Sequence, residues 1–199
     1  MDPSLSVAIT LGAFFIWALL IYNRLVAHRN RVGNALAQID VLLKRRHDLI
    51  PNLVNTARGY MTHERETLEA VTSARDAAQA SQAAGRKNAR DPADAQAMAT
   101  LAQVEGMLSS SVSRLLALAE AYPDLKAHQN MLQLSSEITA TEDSLSSARQ
   151  VYNEEVMHFN TALQSFPAVM FAGMLGFRPA AVLAPIDFAV ERTAPAVRF

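Results

Sequence analysis

The eighteen residues from Leu5 to Tyr22 carry no formal charge and run directly into Asn23-Arg24 and a long heptad-patterned stretch. At about 1.5 Å per residue, a helix of that length rises roughly 27 Å, close to the roughly 30 Å of a bilayer's hydrocarbon core. The segment contains one glycine, Gly12, and no proline. Tyr22 falls where an interfacial aromatic is expected, with Trp17 about a turn and a half before it. A secretory signal peptide would open on basic residues and end on small ones. This chain instead opens Met1-Asp2-Pro3-Ser4 and closes the run with Leu20, Ile21 and Tyr22, so the sequence predicts an uncleaved anchor.

Lys and Arg are absent before the run, whereas Arg24, Arg29 and Arg31 follow it at once and Lys44, Arg45 and Arg46 come next. That asymmetry predicts residues 1–4 on the extracytoplasmic side, residues 5–22 across a membrane and the rest of the chain in the cytoplasm. The lack of cysteine agrees with a reducing compartment. With 18 basic and 19 acidic residues the net charge is −1, which provides no field for a nucleic acid partner.

After the anchor the apolar positions set the fold class. Ala35/Leu36, Ile39, Leu42/Leu43, Leu49/Ile50, Leu53/Val54, Ala57 and Tyr60/Met61 alternate at threes and fours, with one slot filled by charge around Arg46. This first helix continues through Leu68, Val71 and Ala74 and ends at the Gly85 to Pro92 turn signals. A second helix is predicted from Asp94 to about Tyr122, broken by Pro123, and a third from about Asp124 to Phe166. The expected fold is therefore all-α: an anchor helix, then an elongated antiparallel up-down-up bundle over residues 23–166. Pro51 is a candidate hinge where the first helix should kink or break, and Gly59 to Thr62 offers a second break point.

Residues 167–199 form an irregular tail in which only six of 33 positions are other than apolar, Gly or Pro. A segment so apolar should be covered by the bundle, the membrane or a neighbouring subunit.

The motifs Tyr22-Asn23-Arg24-Leu25-Val26, Arg29-Asn30-Arg31-Val32 and Gln38 to Val54 resemble the LemA family of bacterial membrane proteins. The resemblance continues through Gly59-Tyr60, His63-Glu64, Ala148-Arg149-Gln150, Val151-Tyr152-Asn153, Phe159-Asn160, Phe166-Pro167 and Gly176-Phe177. It implies one amino-terminal span, a cytoplasmic helical bundle and no assigned enzymatic activity. Val169 and Leu175 stand where family members usually carry Asn and Phe.

Asp40, Lys44 and Asp48 are spaced four apart and can form charge pairs along one flank of a helix. The sharper reading makes Lys44, Arg45, Arg46, His47 and Asp48 an interaction belt that recognises another subunit. Asn52, Tyr152, Asn153 and Asn160 are candidates for buried polar groups that fix helix register.

No catalytic, cofactor or metal residue emerges. His28, His47, His63, His128 and His158 have no ligand-like spacing, and His63-Glu64 lacks the second histidine of a zinc-protease helix. His47-Asp48 preceding Pro51 superficially resembles a phosphoacceptor box, but its spacing is one residue short and no nucleotide-binding loop accompanies it. The expectation is a non-enzymatic scaffold that self-associates and engages other inner-membrane proteins in envelope maintenance or stress. Membrane-surface remodelling is the alternative, and phosphotransfer or another enzyme a distant one.

Overall fold

The structure, a computed structural model, describes residues 3–87 and 92–183, and among these it is helical with no strand. Helix α1 spans Pro3–Arg58, α2 Arg65–Lys87, α3 Ala95–Ala119, the short α4 Pro123–Ala127, and α5 Gln129–Gln164. A single 3-10 turn follows at Ala168–Met170.

With 56 residues, α1 is roughly 84 Å long, and it carries the uncharged amino-terminal run into the bundle without interruption. Its apolar stretch is a candidate membrane-spanning segment in which 6% of residues are buried, so it is not a core helix of the bundle. From Leu25 onward the helix turns one face inward: Leu25, Val32, Ile39 and Leu53 recur at multiples of seven and all are buried.

The chain reverses after Arg58. The amides of Tyr60 and Met61 both donate to the Ala57 carbonyl, and Gly59 lies in the turn. Of the two break points read from the sequence, the one at Gly59 to Thr62 divides the rod, with α1 ending at Arg58 and α2 starting at Arg65, whereas the chain does not break at Pro51. Among the described residues the bundle has four long helices, up-down-up-down. Pairings fix their directions: Arg75 bonds His47 and Gln82 bonds Asp40, so α2 descends as α1 ascends. Arg46 meets Glu142 and the Tyr60 ring meets His128, so α5 is also antiparallel to α1.

Helix α1 passes through Pro51 without a break. Proline leaves the carbonyl four residues earlier without its helical donor. That carbonyl is His47 O, and Arg75 Nε of α2 donates to it at 3.2 Å. The vacancy created by Pro51 is a docking point for the next helix.

Asp94 caps α3, its side chain accepting from the Ala97 amide at 3.0 Å. Pro123 opens α4 at a first-turn position, and the predicted third helix proves interrupted at His128 before α5 begins. Along α5, Met131, Ile138, Leu145, Tyr152 and Phe159 repeat at seven and are all buried, as the heptad reading expects.

At the anchor end the core is completed by the tail. Ala172, Phe177, Ala180 and Leu183 are buried in the same cluster as Leu25, Val32, Phe159 and Leu163. These four tail residues therefore pack on the bundle of their own chain. The cover expected for residues 184–199 lies outside the described residues.

Candidate functional site

Two apolar clusters fill the bundle, one from Leu25 to Leu43 on α1 and the other from Ile50 to Met61. A polar layer separates them. Arg46 occupies the heptad slot between Ile39 and Leu53 and is 0% exposed. Opposite it on α3, Glu105 takes the slot between Met98 and Val112 and is also 0% exposed. Arg46 Nη1 donates to Glu105 Oε2 at 3.1 Å, and Nη2 donates to Ser109 Oγ at 2.8 Å. Its Nε lies 2.8 Å from Glu142 Oε1 of α5, an ion pair without hydrogen-bond alignment.

His47 completes the layer, its Nε2 lying 3.0 Å from Glu105 Oε1. One guanidinium thus ties α1 to α3 and α5, while the His47 carbonyl ties α1 to α2 through Arg75.

Burial without full compensation costs several kcal/mol per ion, so such a layer sets alignment more than stability. Any shift of α1 along α3 by one heptad would place Arg46 opposite a methionine or a valine. Arg149 flanks the layer, and burial pushes its guanidinium down from the ordinary value.

Glu142 is the layer's exit to solvent, with a side chain 31% exposed. Its carboxyl is held above the ordinary carboxylate value, chiefly by burial and against the pull of Arg46 and Arg149. The folded state then binds this proton more tightly than the unfolded chain. Its stabilising contribution is complete below the ordinary value of 4.5 and is lost as pH rises through the raised folded value. Glu142→Gln, which stays neutral, should therefore melt increasingly above the parent as pH is raised from 4 to 7. A melting-temperature gap that is flat or shrinks over that range would contradict this assignment.

The second polar constellation lies on α5 and holds the tail. Asn153 Nδ2 donates to the Leu183 carbonyl and its Oδ1 accepts from the Leu183 amide, both at 2.9 Å. Asn160 does the same with Ala180, again at 2.9 Å twice. Between them the Tyr152 hydroxyl donates to the Ala181 carbonyl at 2.8 Å, and the Ala181 amide donates to Pro92 O at 2.7 Å. The spacing explains the fit: seven helical residues rise about 10.5 Å, and three extended residues cover about 10 Å. The asparagines read only backbone, so the clamp fixes where the tail lies.

Of the residues singled out in the sequence, Arg46 and His47 face inward and bind helices of their own chain, whereas Lys44, Arg45 and Asp48 are exposed. Of the five belt residues expected from the sequence, those three are open to solvent. Tyr152, Asn153 and Asn160, expected between helices, instead come together on the backbone of the tail. Asn52 stands apart, exposed beside the groove lined by Asn55, Thr56, Asn130 and Gln133. Glu105, Ser109 and Arg75 were missed. The signal for Glu105 was its sevenfold spacing from Met98 and Val112, obscured by the apolar neighbour Val104.

An all-helical bundle fused without a break to a candidate membrane-spanning helix is the class this architecture defines. The chain belongs to the LemA family, whose model matches residues 35–199. It is 27% identical over 158 residues to Protein LemA of Metamycoplasma hominis, covering 79% of this chain and 66% of that relative. It is 21% identical over 182 residues to Magnetosome protein MamQ of Magnetospirillum gryphiswaldense, covering 85% of this chain and 67% of the relative. The chain thus spans about two thirds of the length of these curated relatives.

Proposed function

We propose that this protein is a non-enzymatic, membrane-anchored helical scaffold that self-associates at the bacterial inner membrane and engages other inner-membrane proteins, in envelope maintenance or stress. Its amino terminus faces outward and its bundle lies in the cytoplasm, as the basic residues after Tyr22 favour. The observation that carries the reading is the continuity of α1, which holds the bundle at a fixed height and attitude to the lipid and offers its flanks to neighbours. Polar chemistry supports it, because the two most suggestive ionisable side chains, His47 and Glu105, are buried against each other and Arg46, beyond the reach of a solute.

Lys44, Arg45 and Asp48, exposed on one stretch of α1, are the proposed contact to a second copy. Full-length protein extracted in mild detergent should elute as an oligomer by light scattering, and Lys44→Glu with Arg45→Glu should reduce its mass. A strictly monomeric parent at micromolar concentration would remove self-association. An oligomer indifferent to the charge reversals would move the contact elsewhere.

A further inference from the structure

Between α5 and the clamped tail the chain forms a compact knob, Phe166–Gly176. Several of its large side chains point outward: Phe166 is 78% and Met174 87% exposed, and Val169, Met170 and Leu175 are exposed as well. From Phe166 to Phe177 there is no charged residue. Such a patch on a small bundle calls for an apolar partner.

Its position identifies that partner. The Tyr22 ring packs edge-on against Phe177 with centroids 5.7 Å apart. Ile21 and Arg24 line the same groove as Phe166, Pro167 and Ala168. The knob therefore sits level with the last residues of the uncharged run, and because α1 is unbroken its height is fixed. We propose that the knob is a lipid-contacting wedge seated in the interfacial layer of the bilayer that α1 crosses. This rests on the reading of residues 5–22 as a span.

Backbone chemistry agrees. Peptide groups enter an apolar medium only when bonded internally. Within the knob Val169, Met170, Phe171, Ala172 and Leu175 all donate their amides to carbonyls three or four residues back. Gly176, at φ +76°, ends the turn: its amide donates to Gly173 O and that of Phe177 to Ala172 O. This is a Schellman closure, and its two apolar partners, Ala172 and Phe177, are both buried. At the border Arg24, which lines the groove beside Phe166, supplies a cation where lipid phosphates would lie. A second copy of the chain is the competing cover.

The absence of native cysteine allows single-site labelling of the full-length protein. Val169→Cys and Met174→Cys, each carrying an environment-sensitive nitrobenzoxadiazole, are reconstituted in phosphatidylcholine and phosphatidylglycerol vesicles with or without doxyl-labelled lipid. Ile16→Cys reports the span and Leu132→Cys the far end of the bundle. The wedge predicts blue-shifted emission at 169 and 174 that loses the larger part of its intensity to headgroup-proximal doxyl lipids, with Leu132→Cys unaffected. Water-like, unquenched emission at both sites overturns it. Blue-shifted but unquenched emission also overturns it, in favour of cover by protein. If Ile16→Cys escapes quenching by deep doxyl lipids, the span reading itself has failed.

Discussion

Arg46→Met should destabilise the bundle by about 3–5 kcal/mol, because it leaves the Glu105 carboxylate buried without its cation. At roughly 2–4 °C per kcal/mol for a domain of this size, calorimetry of the detergent-solubilised protein should register a fall of about 10 °C. The methionine fills much of the vacated volume, so cavity formation is a minor part of the loss. The informative variant is the double exchange, Arg46→Met with Glu105→Met, which removes both charges and joins the two apolar clusters into one. It should recover most of the lost stability and could exceed the parent, since apolar substitutes for buried ion pairs are commonly neutral or stabilising. A single exchange costing under about 1 kcal/mol would contradict the burial of the pair. What the double variant should lose is uniqueness of alignment. With no charge to forbid it, α1 becomes free to slide by a heptad against α3, visible as broadened amide resonances or mixed disulfide registers between engineered cysteines.

Asn153→Ala combined with Asn160→Ala should release the tail from α5. Each amide satisfies both a donor and an acceptor of a buried residue, Leu183 and Ala180 respectively. Leaving such backbone groups unpartnered costs about 1–3 kcal/mol each. The amides of Ala180 and Leu183 should then exchange with deuterium far faster than in the parent, while Leu145 and Ile138 amides in α5 keep their protection. Exposure of Phe177 and Leu183 should follow, since the tail closes the core at the anchor end. The isosteric Asn153→Asp separates packing from hydrogen bonding: it retains an acceptor for the Leu183 amide but sets a carboxylate against the Leu183 carbonyl. It should loosen residues 180–183 nearly as much as alanine does. Unchanged exchange at Ala180 and Leu183 in the double variant would mean that side-chain burial alone holds the tail.

The helical class and the candidate membrane-spanning helix were legible because periodicity and charge are local signals. Eighteen uncharged residues need no tertiary knowledge to be read as a span, and the sevenfold recurrence of Met131, Ile138, Leu145, Tyr152 and Phe159 announces one buried face. The reversal at Gly59 was harder to weigh, because Pro51 is the stronger helix breaker in isolation. The fold neutralises it by donating Arg75 to the freed His47 carbonyl, a compensation from another helix that no local rule anticipates. Arg46 stood out as a charge in an apolar slot, yet its direction was undecided until Glu105 and Ser109 were seen across from it. Asn153 and Asn160 stood out as candidates for fixing register between helices, but the backbone of an extended tail, which they meet instead, is brought to them by a chain reversal through the knob.

The account depends most on α1 being one rigid rod that couples the candidate membrane-spanning segment to the bundle. Hydrogen exchange of the full-length protein in lipid nanodiscs, followed residue by residue from Leu19 to Ile39, tests this directly. The rod predicts slow exchange throughout, with protection at Asn23 to Asn30 comparable to that at Val32 to Ile39. A fast-exchanging patch between Tyr22 and Arg31 would reveal a hinge, and the bundle would then have no fixed height above the membrane.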